Sequence, residues 1–180
     1  MKTGIILFTL LVSLGLTEAS FADDKPLISE VWVMGFNSGL PLVSHNRKEN
    51  SYGLGMELVF SRPEFSLLGG SVRPAVGAEV AMDTKGTSKA FGDLLWEIEK
   101  ANFFFDVGLG GAVHNGNLHG HDPDEKHYGS RVLFYGQTCL GYSYTAHHRL
   151  ALFFDHMSNA YLARPNNGLN TIGVMFQYRF

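Results

Sequence analysis

The residues with the clearest capacity for chemistry are a histidine and a serine near the carboxyl end of the chain, His156 and Ser158. They lie two positions apart at the end of an apolar run, and residues two apart in a β-strand point to the same face. An imidazole beside a hydroxyl is the pairing that a serine nucleophile requires, because a neutral hydroxyl attacks poorly until a base takes its proton. Asn159 follows directly, and residues 165–168 (PNNG) form a predicted turn. The pattern suits a serine nucleophile, but a His-x-Ser pair alone is a weak signal, and the rest of the chain must support it.

The amino terminus carries the features of a secretory signal peptide. Lys2 supplies a positive charge, residues 4–16 are apolar, and the small residues Ser20 and Ala22 suit a signal peptidase. The apolar run has 13 residues, which is short for a transmembrane helix of about 20 residues. We therefore expect a signal peptide over residues 1–22 and one exported domain over residues 23–180. A retained membrane anchor is the alternative.

The composition of the exported part favours a β-barrel of the outer membrane. Cys139 is the only cysteine, so no intrachain disulfide can form, and the net charge of −3 argues against a nucleic-acid partner. After the signal peptide no stretch of 18 residues is apolar, whereas aromatic residues make up 13% of the chain. Lipid cannot satisfy open backbone groups, so strands that cross a membrane must close into a barrel. A soluble periplasmic barrel is the alternative.

Eight strands are predicted, giving an all-β, antiparallel transmembrane barrel of the outer membrane. Long polar connections alternate with short turns, as is typical of bacterial outer-membrane barrels. The segment Ser61–Ser71 departs from this alternation, because it should be a short turn but is longer and carries Phe65, Leu67 and Leu68. Side chains fill a barrel of this size, which argues against a porin-like channel. The predicted strands are Ile28–Phe36, Tyr52–Phe60, Val72–Met82, Ala90–Ile98, Phe103–Val113, Val132–Tyr144, Arg149–Ser158 and Asn170–Phe180.

The parity of the strands predicts which side chains face outward. In the seventh predicted strand the charged residues hold odd positions, so His156 and Ser158 have the outward parity, together with Phe134 and Asn170 on neighbouring strands. The last strand also alternates apolar with polar or small residues, and its terminal Phe180 resembles the insertion signal of outer-membrane proteins. With both barrel ends in the periplasm, the seventh strand runs outward. The predicted site then lies at the cell-surface rim, where lipopolysaccharide is found.

The residues around this site closely resemble the lipid A 3-O-deacylase (PagL) family. Its His-x-Ser-Asn-Ala signature corresponds here to residues 156–160. The resemblance implies an eight-stranded outer-membrane barrel and a serine esterase that removes the 3-linked acyl chain of lipid A. It implies Ser158 as the nucleophile and His156 as the general base, with neither a cofactor nor a metal.

The same resemblance suggests tasks for four further residues. Asn159, together with a backbone N–H near Tyr161, is expected to hold the oxyanion. Asn166 falls on a second important asparagine of the family, and Phe134 falls where the family keeps an aromatic residue near the acyl groove. Expected partners are lipid A or lipopolysaccharide, outer-membrane lipid, and the barrel-assembly machinery during insertion. A homodimer is left open.

One position departs from the family pattern. The acid that completes the family's triad should fall fourteen residues after His156, where this chain has Asn170. An acid partner orients the imidazole and stabilises its charged form, whereas an asparagine can only orient it. Asp155 is adjacent to His156, but its parity points it inward. Asn170 therefore supports an alternative function, a non-catalytic structural or lipid-binding barrel.

A histidine-rich segment is the remaining candidate site. His114, His119, His121 and His127 lie in a loop that also carries acidic residues and glycines. Closely spaced imidazoles can bind zinc or copper. Glycine and charge are equally typical of a solvated surface loop, which is the preferred interpretation.

Overall fold

The computed structural model describes residues 26–39, 50–120 and 125–180 as nine β-strands and their connections. The predicted signal peptide, residues 1–22, lies outside the described residues. Within the described ranges, no helix has the length and apolar character needed to cross a membrane. The strands are β1 (Ile28–Ser38), β2 (Ser51–Phe60), β3 (Phe65–Leu67), β4 (Gly70–Ala81), β5 (Lys89–Lys100), β6 (Phe103–His114), β7 (Val132–Ser143), β8 (His148–Ser158) and β9 (Leu169–Arg179).

Eight of these strands close into an antiparallel barrel. From β4 to β9 each strand pairs with the next one along the chain, and β9 pairs with β1. The ring is completed where β1 pairs with β2 and β2 pairs with β4. The prediction of an all-β, eight-stranded antiparallel barrel is therefore confirmed. Each predicted strand end lies within two residues of the observed one.

The long connections gather at one end of the barrel, which we call the loop end. β1, β4, β6 and β8 all finish there, β8 at Ser158, and the long connections follow these strand ends. The opposite end, which we call the turn end, carries the turns at residues 101–102 and 144–147 and the finish of β9. The predicted alternation of long loops and short turns is observed in this arrangement.

β3 is a strand that the sequence did not predict. It lies in Ser61–Ser71, the segment that is longer than the short turn expected between the second and third predicted strands. It pairs with the first residues of β4. The pairing of β2 with β4 finishes at Val59 and Ala75, so β3 supplies a partner for β4 nearer the turn end. Three residues are too few for a recognisable alternation of apolar and polar side chains, and so the strand leaves no pattern in the sequence.

Side chains alternate between the barrel interior and its outer wall, as the parity of the sequence predicted. In β8 the odd positions from Arg149 to Met157 are buried, and the even positions up to Ser158 are exposed or half-buried. The outer wall carries many large apolar side chains, and Leu109 and Leu152 are 68% and 64% exposed. Exposed apolar surface on this scale marks a region that meets a membrane or a partner.

Charged side chains fill much of the interior as ion pairs. Towards the turn end, Arg73 lies 2.9 Å from the Glu30 carboxylate. Towards the loop end, the Lys89 ammonium is paired with Asp155 and lies 3.0 Å from the Glu79 carboxylate. Removing one partner of a buried pair costs about 3–5 kcal/mol, because the other charge is left unpaired. These pairs join strands that are far apart in sequence and so help to fix the shape of the wall that carries the site.

Candidate active site

The strand register brings four of the predicted site residues together on the outer wall at the loop end. β7, β8 and β9 lie side by side, with Phe134 opposite Ser158 and His156 opposite Asn170. Neighbouring strands are about 4.8 Å apart, so residues of the same parity on adjacent strands are within reach of one another. The site is therefore assembled across three strands from residues that the chain keeps apart.

A short hydrogen bond joins the imidazole of His156 to the side chain of Asn170. His156 Nδ1 and Asn170 Oδ1 are 2.6 Å apart. An amide oxygen only accepts hydrogen bonds, so Nδ1 donates to Asn170, and in a neutral ring Nε2 is then the nitrogen that can accept a proton. Asn170 is 1% exposed, so water does not compete for this bond. Asn170 thus orients the ring without adding a negative charge.

The other edge of the imidazole lies against Gly168. A Cβ atom at Gly168 would be 2.7 Å from His156 Cε1 and 3.2 Å from Nε2. A residue without a side chain is therefore needed at this position of the turn. On the inner face of β8, Asp155 is paired with Lys89. Asp155 points inward, as its parity predicted, and cannot serve as the acid partner of His156.

Asn159 ties two loops together directly after the serine. Its side-chain Nδ2 donates to three backbone oxygens, at 2.8 Å to Tyr128, 3.0 Å to Ala163 and 3.0 Å to Pro165. Its backbone N–H donates to Asn166 Oδ1 at 3.0 Å. An amide NH₂ group has two hydrogens, so three carbonyl oxygens occupy it fully. This geometry favours a positioning task for Asn159, and its oxyanion role stays a prediction.

The backbone turns sharply after Asn159. Ala160 and Tyr161 have φ angles of 51° and 64°, a region that residues with side chains rarely adopt. Such conformations cost about 1–3 kcal/mol each and are concentrated at functional sites. The Tyr161 side chain is 80% exposed, so burial of its ring does not account for the conformation. The turn places two successive backbone N–H groups close after Ser158, where they are candidates for binding an anion.

A strap from the connection between β6 and β7, residues 126–129, holds the loop that follows Ser158. Lys126 Nζ donates to the backbone oxygen of Gly168 at 2.8 Å, and Tyr128 is buried at 1% exposure. Gly129 has a φ of 69°, and a Cβ atom there would lie 2.2 Å from the Pro165 oxygen. Sequence reasoning missed this strap. The glycine is the only local signal for it, since the other contacts depend on how the loops meet.

An apolar groove opens beside Ser158. Its volume is about 350 Å³, within the range of pockets that hold small ligands. Phe134, the residue opposite Ser158 on β7, is 56% exposed and lines the groove. Asn159, Leu162 and Ala163 line it from the connection after β8. The groove therefore lies next to Ser158, between the connection after β8 and the β7 residue opposite the serine, and reaches Gly110 and Gly111 of β6.

The histidine-rich segment is described only in part. His114 Nε2 lies 2.9 Å from the Ser130 backbone oxygen, and its ring meets Tyr128 edge-on with centroids 4.6 Å apart. His119 is exposed, and His121 lies outside the described residues. Across residues 26–39, 50–120 and 125–180, no group of three or more His, Cys, Asp or Glu side chains is placed to hold a metal ion.

Fold and site together define a small antiparallel β-barrel that carries a histidine–serine pair beside an apolar groove on its outer wall. The family model described as "Lipid A 3-O-deacylase (PagL)" matches residues 35–179. The chain belongs to this family, and the resemblance drawn from residues 156–160 is confirmed.

Two relatives give the scale of the similarity. The lipid A deacylase PagL of Bordetella bronchiseptica is 30% identical over 78 residues, which are 43% of this chain and 42% of that protein. The chain thus spans less than half the length of the curated relative that it matches. The crystal structure of the outer membrane enzyme PagL superimposes with a TM-score of 0.63 at 16% identity, covering 84% of this chain and 100% of that chain. The two share a fold.

Proposed function

We propose that this protein is an outer-membrane serine esterase that removes the 3-linked acyl chain of lipid A. The observation that carries the proposal is the hydrogen-bonded pair of His156 and Asn170 beside Ser158, next to an apolar groove on the outer wall. Membership of the lipid A 3-O-deacylase family supports both the substrate and the bond that is cleaved. A site on the outer wall suits a substrate that is itself a membrane lipid.

The outer-membrane location is supported by the shape and surface of the barrel. Exposed leucines such as Leu109, Leu140 and Leu152 would face lipid, as in other barrels of this kind. Bacterial outer-membrane barrels have short turns on the periplasmic side and longer loops outside. With the loop end at the cell surface, Ser158 lies in the outer leaflet, where lipopolysaccharide is found.

The reaction follows from the protonation state of the imidazole. With Nδ1–H donating to Asn170, Nε2 of His156 takes the proton of the Ser158 hydroxyl as Oγ attacks the ester carbonyl. The tetrahedral intermediate collapses as the sugar oxygen leaves with that proton, and the acyl group remains on Ser158. His156 then deprotonates a water molecule, which attacks the acyl-serine. The fatty acid is released, and the proton returns to the Ser158 oxygen.

The oxyanion is assigned to backbone N–H groups in the strained turn, those of Ala160 and Tyr161. Donors fixed in advance where charge develops contribute about 3–4 kcal/mol each to transition-state stabilisation. We assign Asn166 as a further donor, because its Oδ1 accepts from the Asn159 N–H while its Nδ2 carries two hydrogens. Asn159 supports the loop through its three carbonyl contacts.

The groove is assigned to the acyl chain of the substrate. Phe134 and Leu162 would pack against the methylene groups, and each buried methylene contributes about 0.8 kcal/mol. Because the groove is lined by residues next to Ser158, namely Phe134 and Asn159, and carries few polar groups, it suits a fatty acyl chain and not a sugar.

Two further expectations concern assembly. Phe180 directly follows β9 and is 50% exposed on the outer wall, in keeping with recognition by the barrel-assembly machinery. A homodimer is left as a prediction, to be tested by the mass of the detergent-solubilised protein.

Mass spectrometry of lipid A tests the function directly. Cells expressing the protein should contain lipid A lacking one 3-linked acyl chain, and cells expressing Ser158→Ala should not. Heat-dependent gel mobility would show whether both barrels fold. Unchanged lipid A in cells with a folded parent barrel would contradict the proposal.

A serine-directed fluorophosphonate probe distinguishes the enzyme from the non-catalytic barrel that Asn170 favours. Labelling that disappears in Ser158→Ala, and in His156→Ala, supports the esterase. A folded parent that takes up no label would support a structural or lipid-binding barrel instead.

A further inference from the structure

The hairpin formed by β3 and the start of β4 takes no part in the proposed reaction, because it lies at the turn end, opposite Ser158. Three large apolar side chains project from it into open space. Phe65 is 50% exposed, Leu67 49% and Leu68 86%. Exposing so much apolar surface to water on a strand of three residues would be unfavourable, so the hairpin requires an apolar surrounding.

The register of β3 places two of these side chains on the outer wall. Phe65 pairs with Val72, and Leu67 pairs with Gly70. Even positions of β4 point outward, since Val76 and Val80 are 44% and 59% exposed whereas the odd-position Arg73 is buried in the barrel. Residues directly opposite each other in a sheet lie on the same face. Phe65 and Leu67 therefore continue the apolar outer wall and do not point into the barrel.

Trp96 of β5 fastens the hairpin to that wall. Its Nε1 donates to the Leu67 backbone oxygen at 2.7 Å. The indole reaches Leu67 by lying across Gly70, where a Cβ atom would be 2.5 Å from Nε1. Its ring also meets Phe105 edge-on, with centroids 6.4 Å apart. A tryptophan with an apolar face and one bonded N–H is typical of a membrane–water boundary.

Other aromatic side chains surround the barrel at the same end. Phe103, Tyr142, Tyr178 and Phe180 are 61%, 42%, 36% and 50% exposed on the outer wall. Girdles of aromatic residues mark the two membrane interfaces of outer-membrane barrels. The hairpin therefore lies at the level of an interface and is continuous with the lipid-facing wall.

The backbone of the hairpin is also suited to lipid. The pairing of β2 with β4 finishes at Val59 and Ala75, and β3 resumes it where Phe65 meets Val72. Within a membrane an unpaired strand edge costs several kcal/mol for each unsatisfied group. In water, solvent could pair with the edge of β4. In a membrane it cannot, so β3 is needed to satisfy those backbone groups.

We infer that the β3–β4 hairpin is embedded in the inner-leaflet interface of the outer membrane, with Phe65, Leu67 and Leu68 in contact with lipid. The hairpin anchors the barrel at the turn end, opposite Ser158. The inference rests on the proposed outer-membrane location and is independent of the esterase activity. A periplasmic protein or a second copy of this chain are the competing occupants.

Spin labels on single cysteines test the inference in a Cys139→Ala background. The protein would be refolded into vesicles of phosphatidylethanolamine and phosphatidylglycerol, with heat-dependent gel mobility as the folding control. Labels at Leu67→Cys and Leu68→Cys should collide with oxygen more often than with a water-soluble nickel chelate. Ser66→Cys, on the opposite face of β3, is the matched control and should show the reverse preference.

Two reference positions separate failure of this inference from failure of the membrane location. Leu109→Cys on the outer wall should behave as lipid-exposed, and Lys85→Cys in the loop after β4 as water-exposed. If Leu109→Cys is lipid-exposed while Leu67→Cys and Leu68→Cys match Lys85→Cys, the hairpin inference is wrong and the location stands. Spin–spin broadening at Leu68→Cys would overturn it in favour of a second copy. A water-exposed Leu109→Cys would overturn the location itself.

Discussion

Replacing Asn170 by aspartate should raise the rate of the proposed esterase. Aspartate has the size of asparagine, so its carboxylate can take the place of Oδ1, 2.6 Å from His156 Nδ1. Two unit charges about 4 Å apart attract by about 4 kcal/mol at an effective dielectric constant of about 20. Because Asn170 is 1% exposed, the desolvation penalty of the new carboxylate offsets part of this attraction. A net gain of about 1.5–3 kcal/mol in the transition state corresponds to a roughly ten- to hundred-fold rise in kcat.

The assay follows release of fatty acid from lipid A by purified protein in detergent. Asn167→Asp, in the turn before β9, is the matched control, because it adds the same charge nearby while Asn170 keeps its hydrogen bond to His156 Nδ1. Asn170→Ala should lose about tenfold or more, since the ring loses a hydrogen bond that contributes about 1–3 kcal/mol. Asn170→Glu carries the same charge on a longer side chain and should gain less in so enclosed a position.

The reasoning is refuted if folded Asn170→Asp is no faster than the parent. Equal activity of the parent, Asn170→Asp and Asn170→Ala would mean that the 2.6 Å contact has no part in turnover. If the parent and all variants are inert on every lipid A tested, the esterase proposal itself must be given up.

Three further perturbations test the surroundings of the site. Gly168→Ala should lower kcat by about tenfold with little change in KM, because its Cβ would press on the His156 ring. Asn159→Asp should lower kcat and loosen the loop after β8 more than Asn159→Ala does, because a carboxylate cannot donate to the three carbonyl oxygens that it would face. Steady-state kinetics would measure the first effect and limited proteolysis of the loop the second. Lys89→Met should lower the free energy of unfolding by about 3–5 kcal/mol, because Asp155 is left buried without its cation; urea unfolding in detergent would measure it.

The aspartate and glycine variants probe different requirements of His156, the proposed general base. Asn170→Asp changes the charge that meets the imidazolium, whereas Gly168→Ala changes the position of the ring. A higher kcat in Asn170→Asp together with a lower kcat in Gly168→Ala would indicate that the His156 ring is already well placed. The rate of the parent would then be limited by the neutral charge of Asn170.

The sequence by itself determined the barrel and the orientation of its side chains. Strand geometry repeats every two residues, so the alternation along each segment fixes which side chains face outward before any partner strand is known. For this reason the outward parity of His156 and Ser158 could be predicted, and so could the inward parity of Asp155. The same local argument fails for β3, whose three residues are too few to show a period.

Only the tertiary structure decided which side chains meet. The hydrogen bond between His156 and Asn170 depends on the register of β8 against β9, which alternation does not specify. The contacts of Asn159 with Tyr128 require two loops from different hairpins to meet at the rim. Ion pairs such as Lys89 with Asp155 exist because closure brings β5 across the barrel from β8. Local periodicity sets the face of a side chain, but its partner is set by register, loop packing and closure, which depend on the whole chain.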